Sequence, residues 1–553
     1  MFRLSVKRIG IGLFFSVLVW DAFSQASGEY VIVFTNKPHI DNCDPSSFLS
    51  QRALERRQRY RIPLKEEDFP IDDFYSDSIM RLDSSMRLVS KSKWMNYIVV
   101  SCDTTLLEDI LRFSFVKQVS SLHTVHYAEL LPEIHFTEIV PYPVVTALAK
   151  NNDQWIDTAH YGMMYSQIKL HNGHLLHHAG YRGEGMLIAL LDGGFYGVNT
   201  LPAFDDMIND NRLVYHYDFV QEGIDMFSSV NHGMCVLSTM ASSIDGIAVG
   251  TAPEASYVLL KTEAASYENI REEYFLVAGL ECADSMGVDV ANISLGYTAF
   301  DDKNTSHTFS SLDGMHSVAS IAVSLAIEKG MVVSVAAGNS GGSTWKYFAV
   351  PSDAYNALSV AAVDVQGEVA DFSSRGSSAF DRIKPNVASV GWKTFAQYND
   401  GSIGEENGTS LAAPVNAGLV ACLRQAFPLK TSQEIIRAIL QSCSHVTFPD
   451  TLTGYGIPNY WTAYRMLEAS NLVKKDLHIV YPNPVQTTLM VKAYYPNRLF
   501  RVEVMDVVGR PLLSVSCDGS DCAYVDVSSL SSGIYILKIH TDENIAIKKI
   551  SKY

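Results

Sequence analysis

Three short segments carry the residue types of acyl transfer. Leu191-Asp192-Gly193-Gly194-Phe195 ends an apolar run on a carboxylate. Asn231-His232-Gly233-Met234-Cys235-Val236 opens a helical stretch on a histidine. Asn407-Gly408-Thr409-Ser410-Leu411-Ala412-Ala413-Pro414 sets a serine at a helix start rich in small residues. A serine hydroxyl is a weak nucleophile and needs an adjacent base. Histidine can take and return that proton near neutral pH. A buried carboxylate fixes the ring tautomer and stabilises the imidazolium. In Ala337-Gly338-Asn339-Ser340-Gly341, the Asn339 amide stands at the end of an apolar strand, where it could donate to a developing oxyanion with help from the Ser410 N–H. Each piece alone is a weak signal. Together, in the order Asp, His, Asn, Ser, they specify an orienting acid, a base, an oxyanion donor and a nucleophile.

Such residues must be held by elements that end beside one another. Apolar runs at 186–191, 256–260, 288–293 and 331–337 lead to Asp192, Lys261, Ser294 and Gly338, and a further run spans 357–363. Runs apolar on both faces, separated by helical stretches, predict a buried, doubly wound, mostly parallel sheet: an α/β domain over residues 151–470. Chemistry in such a sheet sits beyond the carboxyl ends of the strands.

The flanking blocks differ. Residues 25–127 hold strand-like runs at 30–34 and 97–100. Between them lies an arginine-rich stretch, Gln51 to Arg61, carrying Arg52, Arg56, Arg57, Arg59 and Arg61. It predicts a helix with Ala53 and Leu54 turned inward and a solvated basic face. Residues 128–150, interrupted by Pro132, Pro141 and Pro143, predict a linker. From 475 to 553 the pattern alternates, as in Phe500 to Met505, with turns at Val508-Gly509 and Ser532-Gly533, which predicts a small all-β unit.

Arg3, Lys7 and Arg8 precede an apolar run from Ile9 to Trp20, followed by Ala22-Phe23-Ser24. This is the layout of a secretory signal peptide over residues 1–24, and the apolar run is too short to cross a bilayer. Eight cysteines would then meet an oxidising compartment. Cys517 and Cys522 are close enough to staple a hairpin, and Cys43 could pair with Cys102, although sequence cannot assign connectivity. Forty-three basic against sixty acidic residues give a net charge of −17, which argues against nucleic-acid binding. Apolar residues at 47% exclude a disordered chain, and no integral membrane span is expected. No CxxC pair suggests zinc. Asp205, Asp206 and Asp210 could mark structural calcium but are better read as loop acids.

At the Asp, His, Asn and Ser segments the sequence resembles the subtilisin-like serine peptidases, from near Gly180 to Ala469. That order is the subtilisin order, whereas an α/β-hydrolase would show GxSxG with serine before histidine. Gly250-Thr251-Ala252-Pro253-Glu254-Ala255 and Ser294-Leu295-Gly296 also resemble segments of that family. The resemblance implies Asp192, His232 and Ser410 as triad and Asn339 as oxyanion donor. It implies Ser294, Leu295 and Gly296 as a strand pairing with the substrate backbone, with Ala337 and Gly338 beside it. Two positions depart: Gly193 replaces the usual Ser, Thr or Ala, and Met234 replaces the Thr of an HGT motif. Cys235 lies one helical turn from His232, where some thiol-containing members of the family keep a cysteine; a packing role is the plainer reading.

By the same resemblance the 25–127 block looks like a subtilase propeptide, both folding chaperone and temporary inhibitor, to be removed between about 125 and 155. The 475–553 block is similar to a type A sorting domain of the bacterial type IX secretion system. It matches at Tyr481-Pro482-Asn483-Pro484, at Asp506-Val507-Val508-Gly509-Arg510 and at residues 527–535. These features imply a secreted or surface-attached serine endopeptidase of a Gram-negative bacterium. It would be made as a zymogen, act on proteins or peptides, and require no cofactor. Partners would be its own propeptide and the secretion machinery. The alternatives are a catalytically inactive adhesin on the same fold and a transpeptidating subtilase. No Asp or Glu lies between Trp345 and Pro351, where one wall of the main specificity pocket is expected, which disfavours strict Lys or Arg selection there.

Overall fold

The computed structural model describes residues 27–122 (save 39, 41 and 42), 136–141, 159–473 (save 222, 224 and 229), 478–493 and 499–553 (save 521 and 542–544). The expected signal segment 1–24 and most of the 128–150 linker lie outside these residues.

The first unit is α+β. Strands β1 (Ser27–Phe34), β2 (Arg87–Ser92), β3 (Tyr97–Asp103) and β4 (Val116–Ser121) form an antiparallel sheet in the order β2-β3-β1-β4. Side chains alternate across a strand, and here both faces are covered. Tyr30, Ile32, Phe34, Ile98 and Val100 pack on the unit's own helices. Val31, Val33, Tyr97 and Val99 join the core of the central domain.

The central domain is built on β5 (Leu187–Asp192), β6 (Leu213–Asp218), a short ribbon of β7 (Ser243–Ile244) and β8 (Ala248–Val249), and then β9 (Ser256–Lys261), β10 (Val290–Ile293), β11 (Val332–Ala336), β12 (Leu358–Val363) and β13 (Val387–Val390). Seven of these strands form one sheet, β13-β12-β11-β10-β5-β9-β6, with every pair parallel. Helices Arg271–Met286 and Val318–Glu328 pack against each other and the sheet, as do helices His232–Ala241 and Thr409–Ala426. The predicted doubly wound α/β domain is therefore the observed one. A hairpin, β14 (Thr394–Gln397) with β15 (Ile403–Glu406), lies beside the histidine helix.

The tail is a pair of antiparallel sheets over its own apolar core. One is β16 (His478–Tyr481), β17 (Thr488–Ala493) and β20 (Cys522–Asp526). The other is β19 (Pro511–Ser520), β18 (Leu499–Met505), β21 (Gly533–Thr541) and β22 (Ile545–Lys552). The motif residues are turn makers. Asp506 accepts the N–H groups of Val508 and Arg510, and Gly509 sits at φ +85°. Asn483 bonds Lys549 O and the Ser551 N–H. The expected hairpin staple is overturned. Cys517 lies on β19 and Cys522 on β20, which pair with different sheets, so the chain crosses between layers there. No disulfide forms among the described residues, Cys43 and Cys102 included.

The arginine helix also differs from expectation. Gln51–Tyr60 does bury Ala53 and expose Arg59 and Arg61, but Arg56 and Arg57 are only 2% and 3% exposed. Arg56 bonds Asp284 and the Val288 carbonyl. Arg57 donates to Asp284 Oδ2 at 2.8 Å and to Asp68 Oδ1 at 2.9 Å, and Lys329 closes on Asp68 at 2.7 Å. Arg52 pairs with Asp289. A Cβ on Gly287 would stand 2.6 Å from Ala53 N, so the missing side chain lets the helix approach. Next to it, Glu281 caps the turn after β2, accepting from Ser92 Oγ at 2.5 Å, Lys93 N at 2.9 Å and Trp94 N at 3.0 Å. The basic face is solvated only until the central domain supplies its carboxylates.

Breaking a buried pair by removing one partner costs about 3–5 kcal/mol. In full-length Ser410→Ala protein, Asp284→Asn strips two buried guanidiniums of their shared carboxylate. Calorimetry is expected to show the first unit melting at lower temperature, ahead of the central sheet. Unchanged melting would show that the cluster does not hold the units together.

Candidate active site

The strand order sets the site. Asp192 ends β5, an interior strand of the sheet, and residues after β9, β10 and β11 lie on either side along the same carboxyl edge. Asp192 is fully buried. His232 Nδ1 donates to Asp192 Oδ1 at 2.8 Å, and that oxygen also accepts the Gly193 N–H at 2.8 Å. The histidine reaches it because Gly233 N donates to Gly194 O at 3.0 Å. A Cβ on Gly233 would stand 2.5 Å from that oxygen and 2.8 Å from the Phe195 ring. The His232 ring remains accessible from outside.

Ser410 lies in the first turn of Thr409–Ala426 and is 8% exposed. Its hydroxyl makes no hydrogen bond among the described residues, a looseness common before substrate binds. Asn339 Oδ1 accepts both Thr409 N (2.9 Å) and Thr409 Oγ1 (3.0 Å), which leaves the amide Nδ2 to face outward. A point one Cβ from Gly408 lies 2.7 Å from Ser410 Oγ and 3.8 Å from Asn339 Nδ2, so hydroxyl and amide border one space that glycine keeps open.

The remaining expected site residues sit nearby with distinct duties. Ser294 Oγ donates to Ser410 O at 2.7 Å and accepts from Asn292 at 2.8 Å, so its side chain props the serine helix. Leu295 is buried and Gly296 is exposed, and neither forms a backbone–backbone hydrogen bond among the described residues. Ala337 has its N–H on Val360 O and its C=O on Ala349 N; Gly338, at φ +107°, donates to Thr409 Oγ1 and accepts from Ser374 N. Their backbone groups are thus already engaged.

The two departures have physical consequences. Gly193 brings no hydroxyl, and Asp192 Oδ2 is buried without a hydrogen-bond donor. Met234 is fully buried and packs in the core. Cys235 donates its thiol to Gln397 O at 3.2 Å, and burial pushes it up to about 12, which suits packing and not reactivity. Among the described residues no three His, Cys, Asp or Glu side chains converge as a metal site. Asp206 is instead bonded to Ser243, and Asp210 is paired with Arg212.

Sequence reasoning missed Thr409, read only as a helix start, and Glu263. The latter lies just past β9, where a polar residue after an apolar strand was a visible signal. A Cβ on Gly193 would stand 3.1 Å from Glu263 Oε2, so the glutamate occupies the space a side chain at 193 would claim.

Comparison with known proteins decides the family. Residues 183–456 match the profile described as "Subtilase family". These residues form a subtilase domain. In the same chain, residues 29–133 match "Peptidase S8 propeptide domain, Bacteroidota", and residues 479–552 match "Secretion system C-terminal sorting domain". Subtilisin BL of Lederbergia lenta is 29% identical over 290 residues, covering 52% of this chain and 94% of that one. Subtilisin E of Bacillus subtilis is 28% identical over 289 residues, 51% of this chain and 65% of its own. The thermophilic serine proteinase of Bacillus sp. strain AK1 is 32% identical over 260 residues, 46% and 57% respectively. The chain is a serine-type endopeptidase that carries its own propeptide and an export signal, and so belongs outside the cell or on its surface. No helix among the described residues is long and apolar enough to cross a membrane.

Asp192 raises His232 to about 9, with burial opposing, the hydrogen bond to Asp192 adding and Glu263 contributing further. The protonated ring is therefore favoured below that pH. NMR titration of His232 in Ser410→Ala protein is expected to give a midpoint well above the free-histidine value of about 6.5. In an added Asp192→Asn variant the midpoint falls to or below that value, because burial then acts without its counterion. A normal midpoint in both would refute this electrostatic account.

Proposed function

We propose that this subtilase is exported as a zymogen and hydrolyses peptide bonds through an acyl-enzyme. Ser410 Oγ attacks the scissile carbonyl as His232 Nε2 takes its proton. Asp192 holds the ring by Nδ1 and stabilises the imidazolium. Asn339 Nδ2 and the Ser410 N–H receive the oxyanion. His232 then protonates the leaving amine, and water hydrolyses the ester by the same route. Leu295 and Gly296 offer the substrate a free backbone edge. The observation that carries this reading is the 2.8 Å Asp192–His232 bond beside a space bordered by both Ser410 Oγ and Asn339 Nδ2.

The propeptide reading draws on the cluster around Asp284 and Glu281. The position of the maturation cut draws on residues 136–141. Ile139 is 6% exposed and its N–H donates to Asn356 Oδ1 at 2.7 Å. Asn356 in turn donates to Thr137 O at 3.0 Å and to Glu138 at 2.9 Å. Asn356 precedes β12, at the amino end of the strands and away from Ser410. A stretch bound this way stays with the enzyme, so the cut falls before Phe136.

Wild type and Ser410→Ala, both without the signal segment, test the scheme by intact mass and casein digestion. Wild type is expected to trim itself to an N-terminus between residues 122 and 136 and to digest casein, while the variant stays whole and inert. If both fold yet stay whole and inactive, the adhesin reading replaces this one; ligated peptide products would indicate transpeptidation. Because neutral His232 is the base, kcat/KM should rise with pH toward about 9. Asn339→Ala should lower kcat by about 10²–10³ with little change in KM.

A further inference from the structure

The order β11-β10-β5-β9 sets Asn339, Ser294, Asp192 and Glu263 in a row along the carboxyl edge. Glu263 is the one member of that row with no task in the chemistry. Its backbone is tied to the site, because the preceding Thr262 N–H donates to Asp192 O at 3.0 Å. Its carboxylate fills the gap at Gly193, where a Cβ would also lie 3.8 Å from Val230 Cγ1. Asp192 and His232 both act on it electrostatically, and it acts in turn on the buried hydroxyl of Tyr297, the residue that follows the substrate-pairing segment. With its carboxylate against Gly193, Glu263 stands beside the Asp192–His232 pair at the edge that borders the groove.

The carboxylate lacks a counterpart. No hydrogen bond to it forms among the described residues, and the groups that act on it most are Asp192, Glu272, Glu268 and, as the only base, His232. Burial and those acids push it up to about 8. Nearby Glu272 shows the contrast, since it accepts from Ala264 N at 2.8 Å and Asn269 N at 3.2 Å. Lys261, the last residue of β9, is turned to Asp218 at 3.5 Å. A largely buried carboxylate without donors discriminates strongly between a ligand that brings a charged donor and one that does not.

We propose that Glu263 is a specificity residue of the peptidase, selecting substrates that bring a Lys or Arg side chain to the groove position beside His232. This rests on the endopeptidase reading. It concerns a different wall from the acid-free stretch between Trp345 and Pro351, so a basic residue is selected next to the cleaved residue and not at it. Gly193 is part of the device, because a Cβ there would stand 3.1 Å from Glu263 Oε2 and press on the carboxylate. The pairing strengthens as Glu263 ionises, so selectivity grows with pH while the His232 titration affects all substrates alike.

The test uses matured enzyme and peptides that differ only in the residue preceding the cleaved one: Lys, Arg, Leu or Glu. The readout is the ratio of kcat/KM between substrates on the same enzyme, which cancels any change in overall activity. Wild type should favour Lys and Arg over Leu by roughly 10- to 100-fold, with Glu poorest, and the ratio should climb between pH 7 and 9. Glu263→Gln should bring the Lys/Leu ratio near unity at every pH, and Glu263→Asp should keep part of it. Equal rates for Lys and Leu in wild type, or a preference that survives Glu263→Gln, would overturn the proposal while leaving the peptidase reading intact. Failure of wild type to cleave any peptide would overturn both.

Discussion

One hydrogen bond organises the domain: His232 Nδ1 to Asp192 Oδ1, at 2.8 Å and against a fully buried carboxylate. A buried charge is tolerated only when something pairs with it, so the sheet must deliver Asp192 on an interior strand and a helix must start directly above. Gly194 and Gly233 permit that approach, since their backbones touch where side chains would collide. The serine helix is then positioned by small polar contacts, Ser294 to the Ser410 carbonyl and Thr409 to Asn339. These contacts connect neighbouring strand ends, so the constellation is a property of strand order more than of any loop.

The carboxylate network continues beyond the site. Asp284 and Glu281 stand on the helix Arg271–Met286, one face of which packs on the sheet that carries Asp192. The same helix therefore supports the chemistry below and receives the first unit above. Both acids are matched to donors of that unit with scarcely any solvent between, through Arg56 and Arg57 in one case and the turn at residues 92–94 in the other.

What could be read in the sequence was whatever local pattern determines. The apolar runs predicted β5, β9, β10, β11 and β12 because strands buried on both faces leave an unbroken signature. Asp192, His232, Asn339 and Ser410 were legible because each sits where such a run ends or a helix begins. Arg56 and Arg57 were not. Whether a helical face meets water depends on what opposes it, and Asp284 lies 227 residues from Arg57. Glu263 showed a signal, an acid just past an apolar strand, but that pattern does not separate it from any loop acid until Gly193 is seen beside it. Cys517 and Cys522 misled because separation along the chain does not say which sheet a strand joins.

The two-sided burial of β1 and β3 governs the fate of the first unit once it is released. Val31, Val33, Tyr97 and Val99 are covered by the other domain, whose core they join. Set free, the unit would face water with an apolar sheet surface and with Arg56 and Arg57 stripped of Asp284. It would lose cohesion just as it came within reach of the peptidase domain beside it. Release would thus work as a ratchet: the unit's affinity for the central domain and its own integrity reside in the same interface, so surrendering one forfeits the other.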